Sequence, residues 1–191
     1  MTLDSQQVEV IGRNTFITEA VKRHFEVSNP QRDKGIDLVL YLPGYKSFRA
    51  LPIQIKCGQG EFYNLDKKYA SVPDLVLVYI WNLPDNPSFR MMTYDEGVKV
   101  LGKAVESKSW KENGRYAVTR LNDSWQNRLS NFGERWDWLK CRAIGIDELL
   151  RFNSLVCSQL NVQILRDGED APAQEQKKFI FLQPGEEMPE R

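Results

Sequence analysis

The run DLVLVYIW, Asp74 to Trp81, limits the fold more than any other stretch. After Asp74 every residue is apolar. A strand with one face in water alternates polar and apolar side chains, whereas an uninterrupted apolar run fits a central strand covered on both faces. The chain must therefore supply two layers to cover that strand, which points to an α/β architecture with a mixed central sheet flanked by helices. Its 191 residues, 41% of them hydrophobic, suffice for one domain with a sizeable core.

The second constraint lies just upstream, in GIDLVLYLPGYKSFRALPIQIK, Gly35 to Lys56. IDLVLY and LPIQIK are rich in Val, Ile, Leu and Tyr and read as strands. PGYKS between them reads as a turn, with Pro43 and Gly44 setting the backbone. A turn centred near Tyr45 and Lys46 places Asp37 opposite Gln54. Side chains alternate along a strand, so Gln54 and Lys56 share a face while Ile53 and Ile55 take the other. An acid, an amide carbonyl and an ammonium group then meet at a sheet edge, a set that can hold a divalent metal and a phosphate.

The remaining elements follow in order. Asp4 or Ser5 can cap a first helix, with Gly12 as an interruption that moves its effective start towards Asn14. Ile17, Ala20, Val21 and Phe25 form an apolar stripe at helical spacing. Glu19 lies off the centre of that stripe, either on a solvated face or over the sheet edge. SNPQRDKG is a loop carrying Arg32 and Lys34. Gly58 and Gly60 mark another loop, and Tyr63 to Ala70 reads as a short helix bearing Lys67 and Lys68. SFRMMT reads as a strand, YDEGVKVLGKAV as a helix and RYAVTRL as a strand. SWQNRLSNFGERWDWLK reads as one helix with a core stripe of Trp125, Leu129, Phe132, Trp136 and Leu139. A last helix follows Gly145, capped by Asp147. NVQILRD reads as a short strand, and KKFIFLQ as a terminal strand or docking segment. Residues 1–165 are expected to form the domain, with a helical C-terminal extension, and residues 166–191 an acidic, partly disordered tail.

Helix with Glu, strand with Asp, strand with Gln-x-Lys, then a buried strand: in this order the chain resembles the PD-(D/E)XK nuclease superfamily, with Gln in place of the second acid. The resemblance covers roughly Asn14 to Trp81. It implies a restriction-endonuclease-like sheet and a metal-dependent endonuclease acting on DNA. It implies Asp37, Gln54, Lys56 and Glu19 as catalytic residues. Asp37, Gln54, Glu19 and the backbone carbonyl of Ile55 would be ligands of Mg²⁺, with Mn²⁺ as a substitute. Arg32, Lys34, Lys67 and Lys68 would contact the nucleic acid. Cutting both strands of a duplex calls for two active sites, which suits a homodimer.

The residue types make sense without the family. A phosphodiester's negative charge repels hydroxide, and oxygen-bound Mg²⁺ neutralises it and acidifies bound water. Lys56 would position or deprotonate that water, or stabilise the transition state. Gln54 gives a lone pair but no charge. One unit charge at about 4 Å is worth ~4 kcal/mol at an effective dielectric of 20, so metal should bind less tightly than with Glu. A nuclease-fold module that binds nucleic acid or a protein partner without turnover is thus the alternative. The blandest reading makes the three side chains the solvated face of an ordinary hairpin.

Composition excludes other classes. Lys plus Arg and Asp plus Glu are both 26, so a uniformly basic nucleic-acid coat is ruled out. Residues 101–165 carry 10 basic and 7 acidic side chains, residues 166–191 carry 4 and 7. Cys57, Cys141 and Cys157 match no zinc spacing and suit reduced thiols in a cytoplasmic protein. His24, the single histidine, argues against triad hydrolases and His-rich metal sites. No apolar run approaches a membrane span, and MTLDSQQVEV does not read as a signal peptide. GxxxxGK[ST] and GxGxxG are missing.

Overall fold

The computed structural model describes residues 3–32, 35–44 and 49–144, and the backbone of residues 162–163 and 180–181. The chain begins with α1 (Ser5–Lys22), β1 (Glu26–Ser28), β2 (Leu38–Tyr41), β3 (Leu51–Cys57) and β4 (Tyr63–Asp66). A 3₁₀ turn at Lys67–Ser71 leads to β5 (Val76–Trp81) and β6 (Ser88–Thr93). Then come α2 (Tyr94–Leu101), α3 (Lys108–Asn113), β7 (Arg115–Val118), α4 (Asp123–Leu129) and α5 (Trp136–Ala143). β8 (Val162–Gln163) and β9 (Ile180–Phe181) pair antiparallel, within NVQILRD and KKFIFLQ. Lys34, the turn residues Tyr45 to Ser47, the helix expected after Gly145 and Cys157 lie outside the described residues, as does the acidic tail apart from β9.

Five strands form a mixed sheet in the order β1-β2-β3-β5-β6. β3 and β5 run parallel; the other neighbours run antiparallel. β5 is buried at every position, as its composition requires. Val76, Val78 and Ile80 face one core with Phe16 and Ala20 of α1 and Trp136 and Leu139 of α5. Leu77, Tyr79 and Trp81 face a second core with Tyr63 and Leu65 of β4, Val100 and Leu101 of α2, Trp110 of α3 and Leu129 of α4. The protein is a mixed α/β fold whose sheet is flanked by helices.

Several local expectations change. α1 runs unbroken from a capping box in which Asp4 and Gln7 bond each other's backbone. Gly12 is there for close packing: a Cβ would lie 2.1 Å from Cys57 Sγ and 2.9 Å from Leu83 Cδ1. The buried stripe is Val8, Gly12, Phe16 and Ala20, whereas Val21 is 55% exposed. The helix stops before His24, whose φ of 69° turns the chain into β1. The segment Tyr63 to Ala70 is strand then 3₁₀ turn, because Tyr63–Asp66 pairs with β7. The long helix expected from Ser124 to Lys140 is two, α4 and α5. Its stripe divides accordingly: Leu129 lies in the second core with Trp125 and Phe132 packed against it, and Trp136 and Leu139 lie in the first.

Candidate metal and phosphate site at the open edge of β3

The β2–β3 register pairs Leu38 with Ile53 and Leu40 with Leu51. Continued by one residue, it sets Asp37 opposite Gln54. β2 begins at Leu38, so β3 runs past it, and from Gln54 onward the β2 side of β3 has lost its ladder partner. Side chains take over. Asp37 N–H donates to the Ile53 carbonyl at 2.8 Å. The Asp37 carboxylate accepts from Ile55 N–H at 2.6 Å and from Gln54 Nε2 at 2.5 Å, both on Oδ2. Gln54 Nε2 also donates to the Ile55 carbonyl, at 3.2 Å. One partly positive NH₂ group thus sits within reach of two oxygens, the Asp37 carboxylate and the Ile55 carbonyl.

Lys56 leaves the strand on the face of Gln54, since these two register with Leu77 and Tyr79 of β5. Its Nζ lies 3.3 Å from Tyr69 Oη and 4.9 Å from the centre of that ring. Tyr69 is buried, and its ring packs on the backbone at Gly35, where φ is +86° and a Cβ would lie 3.4 Å from Cε1. Burial, reinforced by the charge of Lys68, lowers the Lys56 pKa to about 8; the charges of Asp37 and Asp66 oppose that shift.

Beside Asp37, between α1 and the edge of β3, lies a cavity of about 320 Å³ lined by Ser5, Glu9, Arg13, Asp37, Gln54 and Cys57, with Ile55 at its wall. Ser5, Glu9 and Arg13 recur every four residues and so share one side of α1. The carboxylate that α1 brings to Asp37 is therefore Glu9. Glu19, ten residues along, lies in a separate pocket with Thr15, Arg23, Phe89 and Trp136. There it bonds Lys22 at 2.8 Å and Arg23 at 2.5 Å, and those bonds, Lys22's first, hold its pKa below the ordinary carboxylate value. The spacing of Ser5, Glu9 and Arg13 could have been read from the sequence. Taking Gly12 as a break hid it.

The other expected residues scatter. Arg32 is exposed. Lys67 and Lys68 lie over the rings of Trp110 and Tyr69, at 5.3 and 5.0 Å, so Lys68 stays near Lys56. Cys57 is half-buried; burial first, then the charges of Asp37 and Glu9, push its thiol up to about 12, so it is not an activated nucleophile. Among the described residues no three Asp, Glu, His or Cys side chains gather as a metal cluster. Among the described residues the oxygens at this edge are one carboxylate, a backbone carbonyl and an amide, with a second carboxylate in the same cavity.

The fold and this edge define a class only broadly: a mixed α/β protein with an acid, an amide and an amine at the rim of its sheet. No family model matches the chain, and no curated protein matches it. Among solved structures it is similar to a bacterial homing endonuclease, I-Ssp6803I. The identity is 15% over 78% of this chain and 99% of that chain, with a TM-score of 0.47. No helix among the described residues is long and apolar enough to cross a membrane.

Proposed function

We propose that this protein is a metal-dependent endonuclease of the PD-(D/E)XK type that hydrolyses phosphodiester bonds of DNA. The observation that carries the reading is the convergence of Asp37 Oδ2 and the Ile55 carbonyl on a single donor group, Gln54 Nε2, at 2.5 and 3.2 Å. Two oxygens that share one partly positive group can share a cation. The set is all oxygen and suits Mg²⁺, which keeps several waters and needs few protein ligands.

In this reading Asp37, the Ile55 carbonyl and Gln54 Oε1 hold Mg²⁺, and Glu9 replaces Glu19 as the carboxylate of the first helix. Presenting Oε1 takes a half-turn of the Gln54 amide, whose oxygen and nitrogen differ little in shape. Bound Mg²⁺ would supply charge neutralisation and an acidified water. Lys56, with a pKa near 8, holds a proton that is easily lost at Nζ, and Tyr69 fixes that amine through ring and hydroxyl. As an ammonium group it faces the charge that builds on the phosphate; as an amine it accepts a proton. Arg32, Lys67 and Lys68 contribute long-range attraction to the substrate. Lys34 is proposed with them, and a homodimer would let two sites cut a duplex.

The test is cleavage of supercoiled plasmid with Mg²⁺ or Mn²⁺ by the parent chain, Asp37→Ala and Lys56→Ala. Activity confined to the parent is expected; equal activity, or none, in all three would sink the proposal. A second reading, a module of this fold that binds without turnover, draws support from the same Gln54 bridge, which already satisfies Asp37 and Ile55 without a cation. Calorimetric titration with Mn²⁺ separates the two, since such a module need show no heat of metal binding.

A further inference from the structure

We propose that Arg13 is a phosphate-binding residue in the wall of the Asp37 cavity, and that the same guanidinium positions Asp37. The inference rests on the nuclease reading and adds to it the residue that takes the strand's phosphate.

Arg13 Nη2 donates to the backbone carbonyl of Asp37 at 2.9 Å and to Asn29 Oδ1 at 2.6 Å. These two bonds tie α1 to the loop before β2 and fix the peptide that carries the Asp37 carboxylate. A guanidinium has five N–H donors in a planar fork. Nε and Nη1 of Arg13 make no hydrogen bond among the described residues. Glu9 stands one turn earlier on the same side of the helix, at the spacing of an i,i+4 ion pair. No ion pair between them is found among the described residues, because Asn29 and Asp37 draw the guanidinium away. Arg13 thus keeps the N–H donors of Nε and Nη1 uncommitted while it lines the cavity with Asp37 and Gln54.

Electrostatics gives those donors a use. Two carboxylates, Glu9 and Asp37, line the cavity and repel an incoming phosphodiester. Among the described lining residues Arg13 is the cationic side chain, and a charged N–H donor binds a phosphate oxygen more strongly than a neutral one. Lys56 does not line the cavity; its amine lies against Tyr69, on the Gln54 face of β3. A non-bridging phosphate oxygen bound by Nη1 or by Nε would come to rest beside Asp37, on the helix side of the edge.

The test measures affinity for a fluorescent DNA duplex by anisotropy, in chelator so that no bond is cut, over a series of salt concentrations. Parent, Arg13→Gln, Arg13→Lys and Asn29→Ala are compared, with thermal unfolding as a check. Arg13→Gln should weaken binding about tenfold and lower the slope of log Kd against log salt by about one, the signature of one lost phosphate contact. Arg13→Lys should keep the slope and lose part of the affinity, since a lysine carries the charge but not the fork. Asn29→Ala should leave the slope unchanged. If Arg13→Gln does not fold, Arg13→Lys carries the test, and parental affinity in that variant overturns the proposal. A folded Arg13→Gln with parental affinity and slope, or one matching Asn29→Ala, reduces Arg13 to a structural tie and leaves the nuclease reading standing. A parent chain that neither binds DNA nor cuts it overturns both.

Discussion

α1 carries one motif twice, and the two copies differ in fate. Ser5, Glu9 and Arg13 repeat as Thr15, Glu19 and Arg23: hydroxyl, acid and guanidinium at steps of four, each set lining its own pocket. In the second copy Arg23 closes on Glu19, Lys22 joins it, and the acid is spent. The Arg23 guanidinium also lies 4.5 Å over Trp136, which anchors it at the helix end. In the first copy Arg13 is pulled to Asn29 and the Asp37 carbonyl, and Glu9 is left facing a cavity. Identical spacing therefore yields a closed ion pair at one end and an open acid–base pair at the other. What decides is the partner that the loop before β2 presents, not the helix.

The largest effect should separate the two ends. Asp37→Asn should reduce Mn²⁺-dependent cleavage by about a thousandfold, within the range that acid–base and metal-ligand losses span. Glu9→Gln should weaken Mn²⁺ binding by roughly tenfold to a hundredfold, in keeping with the usual effect of losing a group beside a metal. Glu19→Gln should leave both unchanged. Calorimetry and single-turnover kinetics read these outcomes. A Glu19→Gln variant as impaired as Glu9→Gln would reverse the assignment. In the same assay Gln54→Glu should tighten the metal, because it adds a full charge to the oxygen set.

Lys56 gives the next effect, on stability. Its folded pKa, about 8, lies below that of an exposed lysine, near 10.4. Below pH 8 the ammonium is held in a site that disfavours it, and the cost is present in full. Between pH 8 and about 10.4 the unfolded chain binds more protons than the folded one, so stability rises with pH. Above that range both states are neutral and the cost is gone. Urea unfolding in chelator should show the parent gaining about 3 kcal/mol over this interval relative to Lys56→Met, the linkage equivalent of a shift of this size. Parallel pH profiles for the two would mean that the amine is solvated in the folded state.

Most of the edge was legible in the sequence; the helix that completes it was not. Period-two alternation and the Pro43–Gly44 turn set the pairing of Asp37 with Gln54, and the apolar run 75–81 located the central strand. Both signals are local. Glu9 was missed because Gly12 reads as a helix breaker to anything that sees only propensity, whereas its reason is contact with Cys57 and Leu83, distant in sequence. The break between α4 and α5 was hidden for a similar reason. The aromatic stripe keeps helical spacing through Phe132 and Trp136, yet these side chains pack against opposite faces of the sheet. Tyr69's role under Lys56 left no sequence trace, since it depends on a tertiary approach across Gly35.

Gly12→Ala should therefore destabilise by about 1–3 kcal/mol as an overpacking change, although alanine is the better helix former. Smaller still is the closed pair itself. Glu19 is three-quarters buried by its neighbours, and its partners Arg23 and Lys22 are 30% and 64% exposed, so water screens the pair. Glu19→Gln should cost only ~0.5 kcal/mol, the scale of exposed i,i+4 pairs. The sign with pH follows from its lowered pKa. The contribution is present above the ordinary carboxylate range and is lost as pH falls through the folded-state value. Added salt should erase the difference between parent and variant at neutral pH, and acid should do so without salt. A gap that persists in both would mean that Glu19 holds α1 through packing of its stem, and the contrast between the two ends of the helix would then be one of shape, not of charge.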